Sequence, residues 1–140
     1  MIPEVISSME EAGWENGIEG FMATSDLQRV AEYIDQYLPE IYYVNSEPGC
    51  VDIMASGVSK WRGIKILAES LNIAHEDILT VGNYYNDIDM LQHAGVGIAV
   101  ANSLPEVKDV ADFVTEYDNN HDAVAEIISK MLHHEYDMIK

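Results

Sequence analysis

Basic residues are scarce in this sequence: seven Lys and Arg stand against 25 Asp and Glu, a formal net charge of −18 over 140 residues. Nucleic acid and anionic membranes are held mainly through Lys and Arg, so the deficit argues against both as partners. Cysteine is nearly absent. Cys50 stands alone, which excludes an internal disulfide and fits a reducing compartment. No run approaches the roughly 20 apolar residues that span a bilayer, and the acidic first 20 residues do not have the make-up of a secretory leader. A soluble, cytoplasmic protein is expected. Repeats, low-complexity segments and an excess of Gly or Pro are also missing. With 48% of residues hydrophobic, the composition is that of a globular domain and not of a disordered chain.

The turn formers Asn45-Ser46-Glu47-Pro48-Gly49 separate two apolar stretches and mark a soft boundary. Before it, Ser25 with Gln28 three places on reads as a capping box. Leu27, Val30, Ala31, Ile34 and Leu38 then keep helical spacing until Pro39 stops the run. Ile41–Val44 and Cys50–Met54 read as strands, and Ile18–Ala23 is a candidate short one. Met9, Ala12 and Trp14 follow no consistent period.

After the boundary, helix and strand signals alternate. Trp61, Ile64, Leu67, Ala68 and Leu71 line one face of a helix starting near Ser59. Ile78–Val81 is a short apolar strand ending at Gly82. Ile88, Leu91 and Ala94 suggest a helix closed by Gly95, and Val96–Val100 is a second strand. Ser103-Leu104-Pro105-Glu106 reads as a capping box before a third helix. Phe113–Thr115 and a helix over Val124, Ile127, Ile128 and Met131 complete the series. Such alternation implies βαβ units. The apolar strands predict an α/β fold whose parallel sheet carries helices on both faces.

Ligands of open α/β sheets bind beyond the carboxyl ends of the strands. There the sequence places Gly82-Asn83-Tyr84-Tyr85-Asn86-Asp87, three oxygen-bearing side chains where a strand hands over to a helix. Mg²⁺ takes oxygen ligands, often one or two carboxylates with water and substrate phosphate. Phosphate favours helix N-termini. Asn and Asp are also routine turn formers and caps, so the loop alone admits a structural reading. Lys60, Arg62 and Lys65 gather three of the seven basic residues at another predicted helix start. They form either an anion site or a solvated first turn.

In order and spacing, several stretches resemble the haloacid dehalogenase superfamily, and in particular its Cof-type sugar-phosphate phosphatases. They are Gly57-Val58-Ser59-Lys60, the run from Asp77 through Gly82 and Asp87 to Leu91, Ala94 to Ser103, Glu106-Val107-Lys108, Ala111-Asp112 and Phe113-Val114-Thr115. The resemblance covers about residues 50–130. It implies a Rossmannoid core half over residues 50–140, preceded by a remnant of an α/β cap over residues 1–49. It further implies a Mg²⁺-dependent phosphatase of small phosphorylated metabolites. The family's phosphate-neutralising lysine falls on Lys60. Its acidic loop, Gly-Asp-x-x-Asn-Asp, falls on residues 82–87. Asn86 would contact the phosphate, Asp87 would support the lysine and the metal, and Asn83 stands where the metal-binding Asp is expected.

The family's nucleophile is the first Asp of an Asp-x-Asp after an N-terminal strand. The only such triplet here, Asp87-Ile88-Asp89, lies inside the acidic loop and cannot also play that part. The isolated chain is expected to be inactive by the family mechanism, and a non-catalytic remnant or interaction module is the alternative. Without the nucleophile strand, Ile78–Val81 should be an open edge. A homo-oligomer, or pairing with a missing N-terminal half, follows as the expectation. His75, His93, His121, His133 and His134 lack metal spacing. Gly95-Val96-Gly97 lacks that of a dinucleotide fingerprint. Tyr33, Tyr37, Tyr42 and Tyr43 are read as packing the cap rather than lining a groove.

Overall fold

The computed structural model describes residues 20–133 and 136. Met9, Ala12, Trp14 and His134, like the first 19 residues of the expected cap remnant, lie outside the described residues.

The amino-terminal part is an antiparallel sheet with one helix. Strands β1 (Gly20–Ala23), β2 (Ile41–Glu47) and β3 (Cys50–Ala55) pair in the order β1–β3–β2. Helix α1 (Leu27–Tyr37) lies between β1 and β2 in sequence. Ile34 and Val51 are the buried pair at the centre of this unit. The expected Ser25 capping box does not form: Asp26 takes the N-cap position at φ 49°, and no side chain caps the helix. Gln28 is then the second helical residue, and its amide donates to Glu32 Oε1 at 2.9 Å. The turn at Gly49, read in the sequence as a boundary, is the tip of a hairpin. Tyr42 faces Met54 and Val44 faces Asp52 across β2 and β3. The division at residues 49/50 therefore splits one sheet, and the chain changes sheets after Ala55.

The second part is α/β, as expected. Strands β4 (Leu79–Gly82), β5 (Val96–Ala99) and β6 (Phe113–Val114) are parallel, in the order β4–β5–β6. Helices α2 (Lys60–Leu71), α3 (Ile88–His93), α4 (Pro105–Val110) and α5 (Ala123–Leu132) accompany them. Every residue of β5 is buried. Its alternate residues serve the two faces. Ala99 packs with Leu91 and Val107 on the α3–α4 side, while Val96 and Ile98 pack with Ile127 of α5. Gly97 has no room for a side chain: a Cβ there would sit 2.2 Å from the Leu91 carbonyl oxygen. That close approach of helix to strand sets the stacking of α3 on the sheet.

Two apolar helix faces are only half used. On α2, Ala68 is buried and Trp61 and Ile64 partly so, but Leu67 and Leu71 are exposed. On α5, Ile127 is buried while Val124, Ile128 and Met131 are exposed. Among the described residues β4 pairs on one side only, and no helix is long and apolar enough to cross a membrane.

Candidate active site

The site begins where β4 ends. After Gly82 the chain makes a single 3₁₀ turn, Tyr85–Asp87, and runs into α3. That turn folds Asp87 back over the strand end. Its Oδ2 accepts from the backbone N–H of Asn83 at 2.8 Å and of Tyr84 at 3.2 Å. The close approach requires Gly82: a Cβ there would lie 2.4 Å from Asp87 Cβ. The Gly82 carbonyl accepts from Val100 N–H at 3.2 Å and from the buried Ser103 hydroxyl at 3.1 Å. Ser103 thus spends its side chain on β4 instead of capping α4, whose N-cap position is Leu104. The capping box read at Ser103 is replaced by a tertiary bond that fixes the loop.

Lys60 arrives from the other side. Ser59 caps α2 as its sequence suggests, accepting from Arg62 N–H at 3.1 Å. Lys60, the first helical residue, donates Nζ to Asp87 Oδ1 at 2.5 Å. The two side chains differ sharply in environment, at 48% exposed for Lys60 and 5% for Asp87. A buried carboxylate is tolerable only when paired and hydrogen-bonded, and Asp87 is both. Its partner keeps donors facing solvent. Arg62 turns away, donating to the Gly57 carbonyl at 2.9 Å, so of the basic cluster Lys60 alone holds the site's carboxylate.

Lys60 and Asn86 line one cleft of about 410 Å³, together with Ser59, Tyr85, Asp89 and Gln92 below and residues of β2 and β3 above. The Glu106 carboxylate beside Tyr85 pushes its phenol above the ordinary value, with burial and a hydrogen bond adding to the effect. The phenol therefore donates to Glu106 Oε1 at 3.3 Å. Asn83 lines a different cleft, with Asn119, Asn120 and Asp122. Of the four residues singled out in the sequence, Lys60 meets Asp87 directly and shares its cleft with Asn86. Asn83 faces its neighbour.

The fit of a Mg²⁺ ion can be judged from the donors. Asp87 already accepts three hydrogen bonds, and Asn83 offers a neutral amide. Among the described residues no group of three His, Cys, Asp or Glu side chains could hold a metal. These residues do not complete a Mg²⁺ site. His75, His93 and His121 are exposed beside single carboxylates. Sequence reasoning missed Asp52 and set Tyr42 aside, although both line the Lys60 cleft. The signal was available in the two-residue alternation of β2 and β3, but it needed the pairing register. Tyr33 lies tilted against Tyr37 at 4.9 Å, but both are exposed and Tyr33 lines a separate pocket beside α1, while Tyr43 donates to Asp35 at 3.1 Å.

The family profile of haloacid dehalogenase-like hydrolases matches residues 16–128. The phosphoglycolate phosphatase 1 of Saccharolobus solfataricus is 33% identical over 98 residues, spanning 70% of this chain and 42% of that protein. The 5-amino-6-(5-phospho-D-ribitylamino)uracil phosphatase YcsE of Bacillus subtilis is 34% identical over 89 residues, 64% of this chain and 35% of its own length. Among solved structures, the subclass IIB sugar phosphatase BT4131 superposes with a TM-score of 0.75 at 29% identity. That match covers 96% of this chain and 48% of the other. The chain spans less than half the length of each of these three.

Proposed function

The chain belongs to the haloacid dehalogenase-like hydrolases, and we propose that it is the phosphate-holding, C-terminal part of a Mg²⁺-dependent phosphatase acting on small phosphorylated metabolites in the cytoplasm. The observation that carries this reading is the Lys60–Asp87 pair, whose lysine lines the same cleft as Asn86. A fixed ammonium group offsets negative charge on a phosphoryl group without reorganising during the reaction. Asp87 holds that ammonium in place, and the strand end holds Asp87. On this reading the antiparallel unit is a cap remnant and the parallel unit is part of the core.

Mg²⁺, when bound, would shield the phosphate and orient it. Asn83 and Asp87 supply at most part of its coordination sphere, the rest coming from water, phosphate and carboxylates outside this chain. The nucleophile is the missing component. Asp89 is the one other acid of the Asp-x-Asp triplet, and it sits on α3, 3.1 Å from His93. An in-line nucleophile must be free to reach the phosphate. Asp87 is committed to Lys60 and two backbone N–H groups. Asp89, although it lines the cleft, belongs to the helix of the acidic loop and not to a separate Asp-x-Asp strand. The isolated chain therefore binds phosphate without turning over esters. Nucleic acid and membranes are not its partners.

A second reading, a non-catalytic interaction module, has its own support in the edge of β4 that has no partner among the described residues. A phosphatase assay on the chain separates the two. Mg²⁺-dependent turnover that Lys60→Ala abolishes would eliminate the module and also the claim of a missing nucleophile. Phosphate binding without turnover, lost in Lys60→Ala, is the result expected.

A further inference from the structure

The cleft in front of Lys60 has an upper wall that the phosphate reading leaves unused. Tyr42, Val44, Asp52 and Met54 share one face of the antiparallel sheet, since Tyr42 pairs with Met54 and Val44 with Asp52. All four line the cleft. Asp52 is half-buried there between apolar neighbours, and among the described residues its carboxylate accepts no hydrogen bond and joins no ion pair. Asp89, the other acid lining the cleft, has its carboxylate 3.1 Å from His93 Nδ1, whose hydrogen bond goes to the Asp89 carbonyl. Asp87, outside the cleft lining, is held by Lys60 and two backbone N–H groups. A partly buried carboxylate without donors favours any ligand that brings them.

We propose that Asp52 is a specificity-determining residue. It selects phosphate monoesters whose organic part carries hydroxyl or ammonium donors, and it turns away those carrying a carboxylate. The inference rests on the Lys60 reading, in which the phosphate sits at the lysine and the organic part extends toward the sheet. An ionised carboxylate can only accept, so a donor-bearing group satisfies it, whereas a second carboxylate adds like charge with no proton to share. The hydroxyls of Tyr42 and Tyr85 can donate or accept and cannot make this distinction alone.

The test titrates the 140-residue chain by calorimetry with four probes: inorganic phosphate, glycerol 3-phosphate, O-phosphoethanolamine and 2-phosphoglycolate. The two donor-bearing esters are expected to bind about fivefold more tightly than 2-phosphoglycolate, the scale of a partly screened charge interaction. Asp52→Asn should erase that preference while leaving inorganic phosphate binding within about twofold. Asp52→Ser, checked for fold by circular dichroism, should do the same. A preference that survives both substitutions overturns the inference and leaves the Lys60 site standing. If inorganic phosphate fails to bind, and Lys60→Ala behaves like the parent chain, the Lys60 reading falls and the Asp52 inference falls with it.

Discussion

Asp87 has three donors, of which only Lys60 is a flexible side chain, and its two oxygens have separate tasks. Oδ2 closes the loop through Asn83 and Tyr84, while Oδ1 aims Lys60. Asp87→Asn can keep one acceptor for the loop but then turns an NH₂ toward the ammonium. It should lower stability by about 1–3 kcal/mol. Lys60→Ala removes a partner that is half exposed and leaves both loop bonds, so its cost should be about 1 kcal/mol or less. Urea unfolding of the two variants gives the order, and a larger loss for Lys60→Ala would contradict this division of tasks. Phosphate affinity should fall in both. Gly82→Ala tests the same loop by crowding. Its added methyl collides with Asp87 Cβ, and the expected cost is about 1–3 kcal/mol, with phosphate binding weakened through the displaced Asp87. An alanine variant that binds phosphate normally would show that the loop can shift without moving Lys60.

At the level of elements, α5 is tied to the chain after β6 by one carboxylate. Glu126 is 7% exposed and accepts from Lys130 Nζ at 2.7 Å. It also accepts from the backbone N–H groups of Glu116 and Tyr117 at 2.9 and 3.0 Å. Burial works to raise its pKa, but these hydrogen bonds outweigh it and hold the carboxyl below the ordinary glutamate value. A group whose folded pKa is lowered contributes stability above its unfolded pKa and loses it as pH falls through the folded value. The Tm advantage of the parent over Glu126→Gln should therefore be full near neutral pH and shrink as pH falls below the ordinary glutamate range. A gap that stays constant through that range would refute the linkage. The periodicity that marks α5 was plain in the sequence, and so were the strands around it, because β5 is apolar throughout and packs on both faces. What the local pattern could not reveal was competition for side chains. Ser103 has the spacing of a cap, yet Gly82 lies within its reach in space, and the hydroxyl goes there. Similarly, Gly49 has the composition of a linker, but pairing of β2 with β3 makes it a hairpin tip. Lys60 and Asp87 were legible from their motif. Asp52 was not, because its cleft is assembled from β2 across the strand pair, the start of α2 and the loop and helix that follow β4.

At the scale of the whole molecule, apolar side chains left exposed on α5 lie beside β4, whose outer edge has no partner among the described residues. Leu79 and Val81 of β4 pack against the cluster that includes Ile127 of α5. The cleft beside Val81 and Gly82 is bounded by Ala123, Val124 and Ala125 from the start of that helix. Val124, Ile128 and Leu132 are exposed, as are Ile66, Leu67 and Leu71 on α2. Exposed apolar side chains on α5 beside β4 mark an association surface, and a strand edge with no described partner is a template for another strand. The charge of −18 opposes self-association at low ionic strength and is screened by salt. Two opposing effects thus set a sign that can be measured. Sedimentation equilibrium at micromolar concentration should show the chain associating, and more strongly as salt is added. Ile128→Lys combined with Leu132→Lys should shift it toward monomer without loss of helical circular dichroism, because neither side chain is in the core. A chain that stays monomeric at high salt would mean that the β4 edge is covered by residues of the same chain, and the pairing expected from its open edge would then be wrong.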